Sequence, residues 1–115
     1  MLVQKYGGSS VATVEKIKAI AQNIKNTVSE KLIVVVSAMG KTTNNLLEMS
    51  KQICEKPSNR EVDALLSIGE QQSASLMAIA LCGVGIKAIS LNGAQAGIFT
   101  TSTHGKALIK SINTN

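Results

Sequence analysis

Apolar and polar positions divide this chain into segments of two different periods. Leu2 to Tyr6 is short and mostly apolar and runs directly into Gly7-Gly8-Ser9-Ser10, so it reads as a strand ending in a glycine turn. Val14, Ile17, Ile20, Ala21, Ile24 and Val28 then recur at the helical period of about 3.6 residues, which predicts an amphipathic helix. Leu32-Ile33-Val34-Val35-Val36 is unbroken and rich in β-branched residues, the pattern of a strand covered on both faces of a parallel sheet. It ends at Ser37-Ala38-Met39-Gly40.

A second helix is expected with Leu46, Leu47, Ser50, Ile53 and Cys54 on one face, closed by the break at Pro57-Ser58-Asn59. A long helix is expected from Arg60 to Cys82, with Gly83 as its left-handed C′ residue. Lys87 to Leu91 reads as a third strand, Asn92-Gly93 as a turn, Ala96 to Thr101 as an extended piece and Lys106 to Ile112 as the start of a last helix. The order of elements implies an α/β fold, an αβα layered sandwich with a mostly parallel sheet. Because the last predicted helix has no return strand, the fold is expected to be incomplete at its C-terminal side.

Composition narrows this picture. At 115 residues and 44% apolar the chain suits one domain, and one Tyr, one Phe and no Trp make its core aliphatic. Scarce aromatics argue against single-stranded nucleic-acid binding, which relies on stacking, so no nucleic-acid partner is expected. The net charge of +5 is spread along the chain without a basic run, which permits an anionic ligand without requiring one. After Glu70 the only charged side chains are Lys87, Lys106 and Lys110. Cys54 and Cys82 lack ligand spacing and read as reduced, mostly buried thiols, and no metal site is read from the sequence. No signal peptide and no apolar run of membrane length is visible, so a cytoplasmic protein without a membrane partner is expected.

Four stretches could carry chemistry. In Lys5-Tyr6-Gly7-Gly8-Ser9-Ser10 glycines between strand and helix can turn backbone N–H groups toward an anion, with a lysine just upstream; a tight turn with a serine N-cap fits the same residues. Ser37 ends a buried strand, where open α/β sheets bind ligands, while Thr42 or Thr43 could simply cap the next helix. Gly69 lies inside the long helix, where glycine costs about 1 kcal/mol relative to alanine and needs a reason such as close approach of another backbone or a ligand. Its neighbour Glu70 would otherwise be an ordinary solvated helix charge. Asn92 to Thr103 could line a polar pocket or form a hairpin, and His104 reads as an exposed loop histidine.

Together these stretches resemble the aspartokinase family, within the wider amino-acid kinase superfamily, over essentially the whole chain. The family's Lys-Phe-Gly-Gly-Thr-Ser-Val signature has its counterpart in Lys5-Tyr6-Gly7-Gly8-Ser9-Ser10-Val11, with Tyr6 and Ser9 as conservative departures. Val34 to Gly40 with Thr42-Thr43-Asn44, Leu66-Ser67-Ile68-Gly69-Glu70, and Gly93 to Ile98 with Thr100-Thr101 resemble the blocks that follow in the family. The resemblance implies that Lys5 contacts the ATP phosphates, that Gly7 and Gly8 cradle them through backbone amides, and that Ser9 and Ser10 sit near the transferred group. It implies that Ser37 lies near the reacting centre, with Lys5 in a catalytic role. Thr43 and Glu70 would bind the acceptor, Glu70 through its ammonium, and Gln95 and Gly97 would border the acceptor pocket.

The implied activity is ATP- and Mg²⁺-dependent phosphorylation of the L-aspartate side chain to 4-phospho-L-aspartate, the first step of lysine, threonine and methionine biosynthesis, by a homo-oligomeric enzyme. Residues 1–115 would form the N-terminal half of the kinase domain, without the nucleotide-binding half and the regulatory ACT domains. The chain alone is therefore expected to be inactive, to bind phosphate or ATP weakly at Gly7-Gly8, and to self-associate. Two other readings stay open: a superfamily relative acting on acetylglutamate, glutamate, uridylate or carbamate, and a non-catalytic anion-binding α/β module.

Overall fold

The computed structural model describes residues 1–114. Its elements are β1 (Leu2–Tyr6), α1 (Val14–Thr27), β2 (Leu32–Val36), α2 (Thr42–Ile53), α3 (Asn59–Gly83), β3 (Ile98–Thr100) and β4 (Ile109–Ile112). Strands β1 and β2 pair in parallel, from Leu2 opposite Leu32 to Tyr6 opposite Val36, with α1 as the crossover. Because both strands end at the same level, the loops after Tyr6 and Val36 leave the sheet side by side. The Ser37 N–H donates to the Tyr6 carbonyl at 3.1 Å and carries the ladder one residue further.

The predicted stripe of α1 is the centre of the core. Ile17, Ala21 and Ile24 are buried with Met77 and Leu81 of α3 and with Val11, against Tyr6, Leu32, Val34 and Val36 on one face of the sheet. Burying a side chain such as Ile24 stabilises the fold by about 2 kcal/mol. On the other face Val3, Ile33 and Val35 are exposed at 61%, 48% and 44%. The continuous apolar run of β2 had implied cover on both faces; α1 and α3 share one face, and no described residue covers the other. The expected α/β layering is thus built on one side of the parallel pair.

Polar residues set the helix ends. Thr13 caps α1, its hydroxyl accepting from the Lys16 N–H at 3.2 Å, so the helix starts beyond the serines after the glycine pair. Ser58 caps α3 in the same way through the Glu61 N–H. The C′ residue of α3 is Gly85 rather than Gly83. Gly85 has φ +89°, its N–H donates to the Cys82 carbonyl and the Ile86 N–H to that of Leu81, the bond pair of a Schellman end. Gly83 is simply the last helical residue.

Two predicted elements are corrected. Lys87–Leu91 is not a strand: Ile86 and Ala88 pack on the core and alternate with exposed Lys87 and Ile89, the period of a strand, yet no described strand pairs with this segment. Side-chain alternation alone does not make a ladder. Lys106–Ile112 does not begin a helix; Ile109–Ile112 forms β4, antiparallel to β3 within the expected extended piece. So short a segment is a poor helix nucleus, and β-branched isoleucines opposite a ready partner favour the strand.

Candidate active site

Two loops meet at the C-terminal edge of the parallel pair. The Gly40 N–H donates to the Gly8 carbonyl at 2.9 Å, and a β-carbon on Gly8 would stand 2.8 Å from the Ala38 carbonyl oxygen. Gly8 is therefore required by the close packing of the loops, since any side chain would collide with backbone. Gly7 differs: nothing lies within 4 Å of where its β-carbon would be, and it is exposed. Its carbonyl accepts from the Ser10 and Val11 N–H groups, which closes the turn. Lys16 reaches back from α1 and donates to the Ser9 carbonyl at 2.9 Å.

Gly69 brings α3 onto the same loops. It is buried, and a β-carbon there would lie 3.2 Å from that of Ala38 and 3.3 Å from Cγ2 of Thr42. This close approach is the reason for a mid-helix glycine. Neither Thr42 nor Thr43 caps α2; the N-cap is Lys41, without a side-chain hydrogen bond. The Thr42 methyl instead packs toward Gly69, and Thr43 turns to a cleft of about 400 Å³.

Asp63, Leu66, Ser67 and Glu70 form one wall of that cleft, with Thr43, Gly105 and Ala107 completing it. The spacing from Asp63 to Glu70 is i, i+3, i+4, i+7, one face of a helix over about 10 Å. The charged side chains lining it are both carboxylates, and no Lys or Arg joins them. Such a lining attracts an ammonium group and repels an anion. The two carboxylates are not equivalent: Asp63 accepts from the Gly105 N–H at 2.7 Å and lies 3.4 Å from His104 Nδ1. Glu70 has no hydrogen-bond or ion-pair partner among the described residues.

The residues expected from sequence fall into three groups. Thr43 and Glu70 share the cleft. Lys5, Ser37 and the Gly7–Ser10 turn do not line it; Ala38, next to Ser37, is the link between turn and helix, lying close to both Gly8 and Gly69. Lys5 is exposed on the uncovered face of the sheet, opposite Val35 in register. Among the described residues nothing engages the Lys5 ammonium or the Ser37 and Thr43 hydroxyls, so these groups remain available to a ligand.

Gln95 and Gly97 form the third group, and neither lines the cleft. The Asn92 N–H donates to Gln95 Oε1 at 2.9 Å and the Gln95 N–H to Asn92 Oδ1 at 2.8 Å, a reciprocal box that shapes their own turn. Gly97 has φ +84° and lets the chain pass Asn113, whose carbonyl oxygen would be 2.8 Å from a β-carbon there. Sequence reading missed Asp63, Gly105 and Ala107. The seven-residue spacing from Asp63 to Glu70 was a usable signal; nothing local could have placed Gly105 against α3.

The model of the amino acid kinase family matches residues 1–115. The chain belongs to that family. It is similar to aspartokinase of Geobacillus stearothermophilus, with 49% identity over 99% of this chain and 28% of the relative. It is also similar to aspartokinase 2 of Bacillus subtilis strain 168, with 47% identity over the whole chain and 29% of the relative. A crystal structure of aspartate kinase from Synechocystis superposes with a TM-score of 0.79 at 55% identity, over 84% of this chain and 17% of that one. The chain thus spans a little over a quarter of the length of these curated relatives.

Within this member of the family, no group of three or more His, Cys, Asp or Glu among the described residues could hold a metal ion. No helix is long and apolar enough to cross a membrane. Both cysteines are exposed rather than buried, and both are free thiols.

Proposed function

We propose that the protein to which this chain belongs phosphorylates the side-chain carboxylate of L-aspartate from ATP, giving 4-phospho-L-aspartate. The observation that carries the proposal is the cleft lined by both Thr43 and Glu70, a carboxylate with no partner among the described residues, in a lining free of cations. Glu70 neutralises the substrate ammonium and Thr43 supplies a neutral hydroxyl, so the amino acid is held by the end that does not react. Its side-chain carboxylate then extends toward Ser37 and the glycine turn.

The acceptor oxygen is already ionised at neutral pH, being an Asp-type carboxylate with a pKa of about 3.9, so no general base is needed. Phosphoryl transfer chiefly requires alignment and neutralisation of spread negative charge. Lys5 is suited to that task because its ammonium is exposed and unengaged, at the strand end beside the turn. Gly7 presents bare backbone to solvent, which fits close approach of phosphate oxygens, with Ser9 and Ser10 following in the same turn. Bound ATP would supply the phosphoryl group, its β–γ P–O bond breaking as the carboxylate oxygen bonds to phosphorus, so that ADP and an acyl phosphate result. The described residues offer no ligand set for Mg²⁺, and no step is assigned to it.

The test is an ATP-dependent hydroxamate assay on the full-length protein with aspartate, glutamate and acetylglutamate as acceptors. Aspartate is expected to give turnover well above the others. Preference for another acceptor would replace aspartate by a different carboxylate or carbamate substrate of the family. A second reading applies to the 115-residue chain by itself. The cleft has no cation to hold the substrate α-carboxylate, which favours a module without turnover when the chain is assayed alone, with anion binding confined to the glycine turn at Gly7-Gly8.

A further inference from the structure

The wall of the cleft opposite α3 comes from the segment between β3 and β4, and one carboxylate oxygen holds it there. Asp63 Oδ2 accepts from the Gly105 N–H at 2.7 Å, and His104 Nδ1 lies 3.4 Å from the same atom. Gly105 has φ +78°, a conformation that suits glycine, and packs against Asn59 in the first turn of α3. Strands β3 and β4 contact each other and no other helix or strand. Both are exposed along their length. The remaining hydrogen bonds of the tip, between Thr101 and Leu108, stay within the hairpin. The position of Gly105 and Ala107 over the cleft therefore depends on Asp63.

We propose that Asp63 is a positioning residue that latches the 103–107 segment to α3 and thereby sets the width of the acceptor cleft between Ala107 and the Thr43–Glu70 side. The proposal rests on the reading of this cleft as the amino-acid site. The two carboxylates then divide the work. Glu70, without a partner among the described residues, takes the ligand, while Asp63, already engaged by the Gly105 N–H, holds the wall. A cleft of fixed width discriminates between amino acids that differ by one methylene, because a longer side chain must displace the wall. Releasing the latch weakens binding of the acceptor without touching the reacting atoms, so the effect falls on KM rather than kcat.

The experiment compares Asp63→Ala and Asp63→Asn with the parent in the full-length enzyme, with trypsin cleavage after Lys106 as a readout independent of activity. Asp63→Ala is expected to raise the aspartate KM about tenfold with kcat changed less than about twofold. It should also narrow the preference for aspartate over glutamate about fivefold and speed cleavage after Lys106 about tenfold. Asp63→Asn keeps an oxygen for the Gly105 N–H and should restore most of each value. Should Asp63→Ala fail to fold, His104→Ala leaves α3 intact and is expected to move the same parameters in the same direction by less. An unchanged KM and unchanged cleavage in Asp63→Ala would overturn the latch, and so would a lowered Tm with unchanged KM. If the parent enzyme ignores aspartate, the functional reading falls, and the trypsin comparison still decides the latch.

Discussion

The β-carbon that Gly69 lacks would stand 3.2 Å from that of Ala38, so α3 crosses the loop after β2 at a distance where an added side chain would crowd its neighbour. That approach carries Glu70, the next residue, to the cleft it shares with Thr43. Gly69→Ala would gain about 1 kcal/mol of helix propensity. It would lose more, because crowding a packed contact costs about 1–3 kcal/mol. A net destabilisation of about 1 kcal/mol in chemical denaturation is expected, together with a higher aspartate KM in the full-length protein. A variant more stable than the parent, with KM unmoved, would show that the glycine serves no close contact.

Glu70 is exposed and makes no hydrogen bond or ion pair among the described residues, so its removal should leave stability within about 0.5 kcal/mol. Glu70→Gln replaces a charge by a neutral amide of the same shape. Loss of a charged partner for the substrate ammonium should raise the aspartate KM about thirtyfold with little effect on the ATP KM. Steady-state kinetics with each substrate varied in turn decides this. Equal effects on both substrates would take Glu70 out of the acceptor site.

Lys5 sits on an open sheet face and supports no packing contact that a methionine could not replace. Lys5→Met should leave the thermal midpoint of the chain unchanged or slightly raised. In the full-length enzyme kcat should fall about a hundredfold or more, as expected when a charge that stabilises the transferring phosphoryl group is deleted. Calorimetric titration of ATP into the isolated chain gives a second check: weak binding by the parent should disappear in the variant.

The face bearing Val3, Ile33 and Val35 leaves aliphatic side chains in water across two paired strands. Contiguous apolar surface of this kind drives association. The isolated chain is expected to self-associate with rising concentration in sedimentation velocity, and the pair Ile33→Lys and Val35→Lys should shift it toward monomer. A parent chain that stays monomeric at millimolar concentration would show that this face is tolerated in water.

Much of this architecture was legible without coordinates. The stripe of α1 and the β-branched run of β2 place the parallel pair and its crossover, because their periods reflect which side chains leave water. The long helix through Gly69 and Glu70 was readable for the same reason. Lys87 to Leu91 was misread because a strand is defined by a partner, and alternation in one segment says nothing of its neighbour. The end of α3 was misplaced by two residues because Gly83 and Gly85 are equally competent on paper, and only backbone geometry shows which one is left-handed. Of the residues that line the cleft, Thr43 and Glu70 were named from the sequence, whereas Asp63 was not singled out.

Local chemistry in the chain determined which segments coil, which extend and where glycine must bend the backbone, since these depend on neighbours a few residues away. Tertiary structure alone decided that Gly8 is needed for packing while Gly7 stays open, that one sheet face is bare, and that Gly105 returns across forty-two residues to Asp63. Those outcomes depend on which distant surfaces meet, and a hydrogen bond or a collision between such surfaces leaves no periodic trace along the chain.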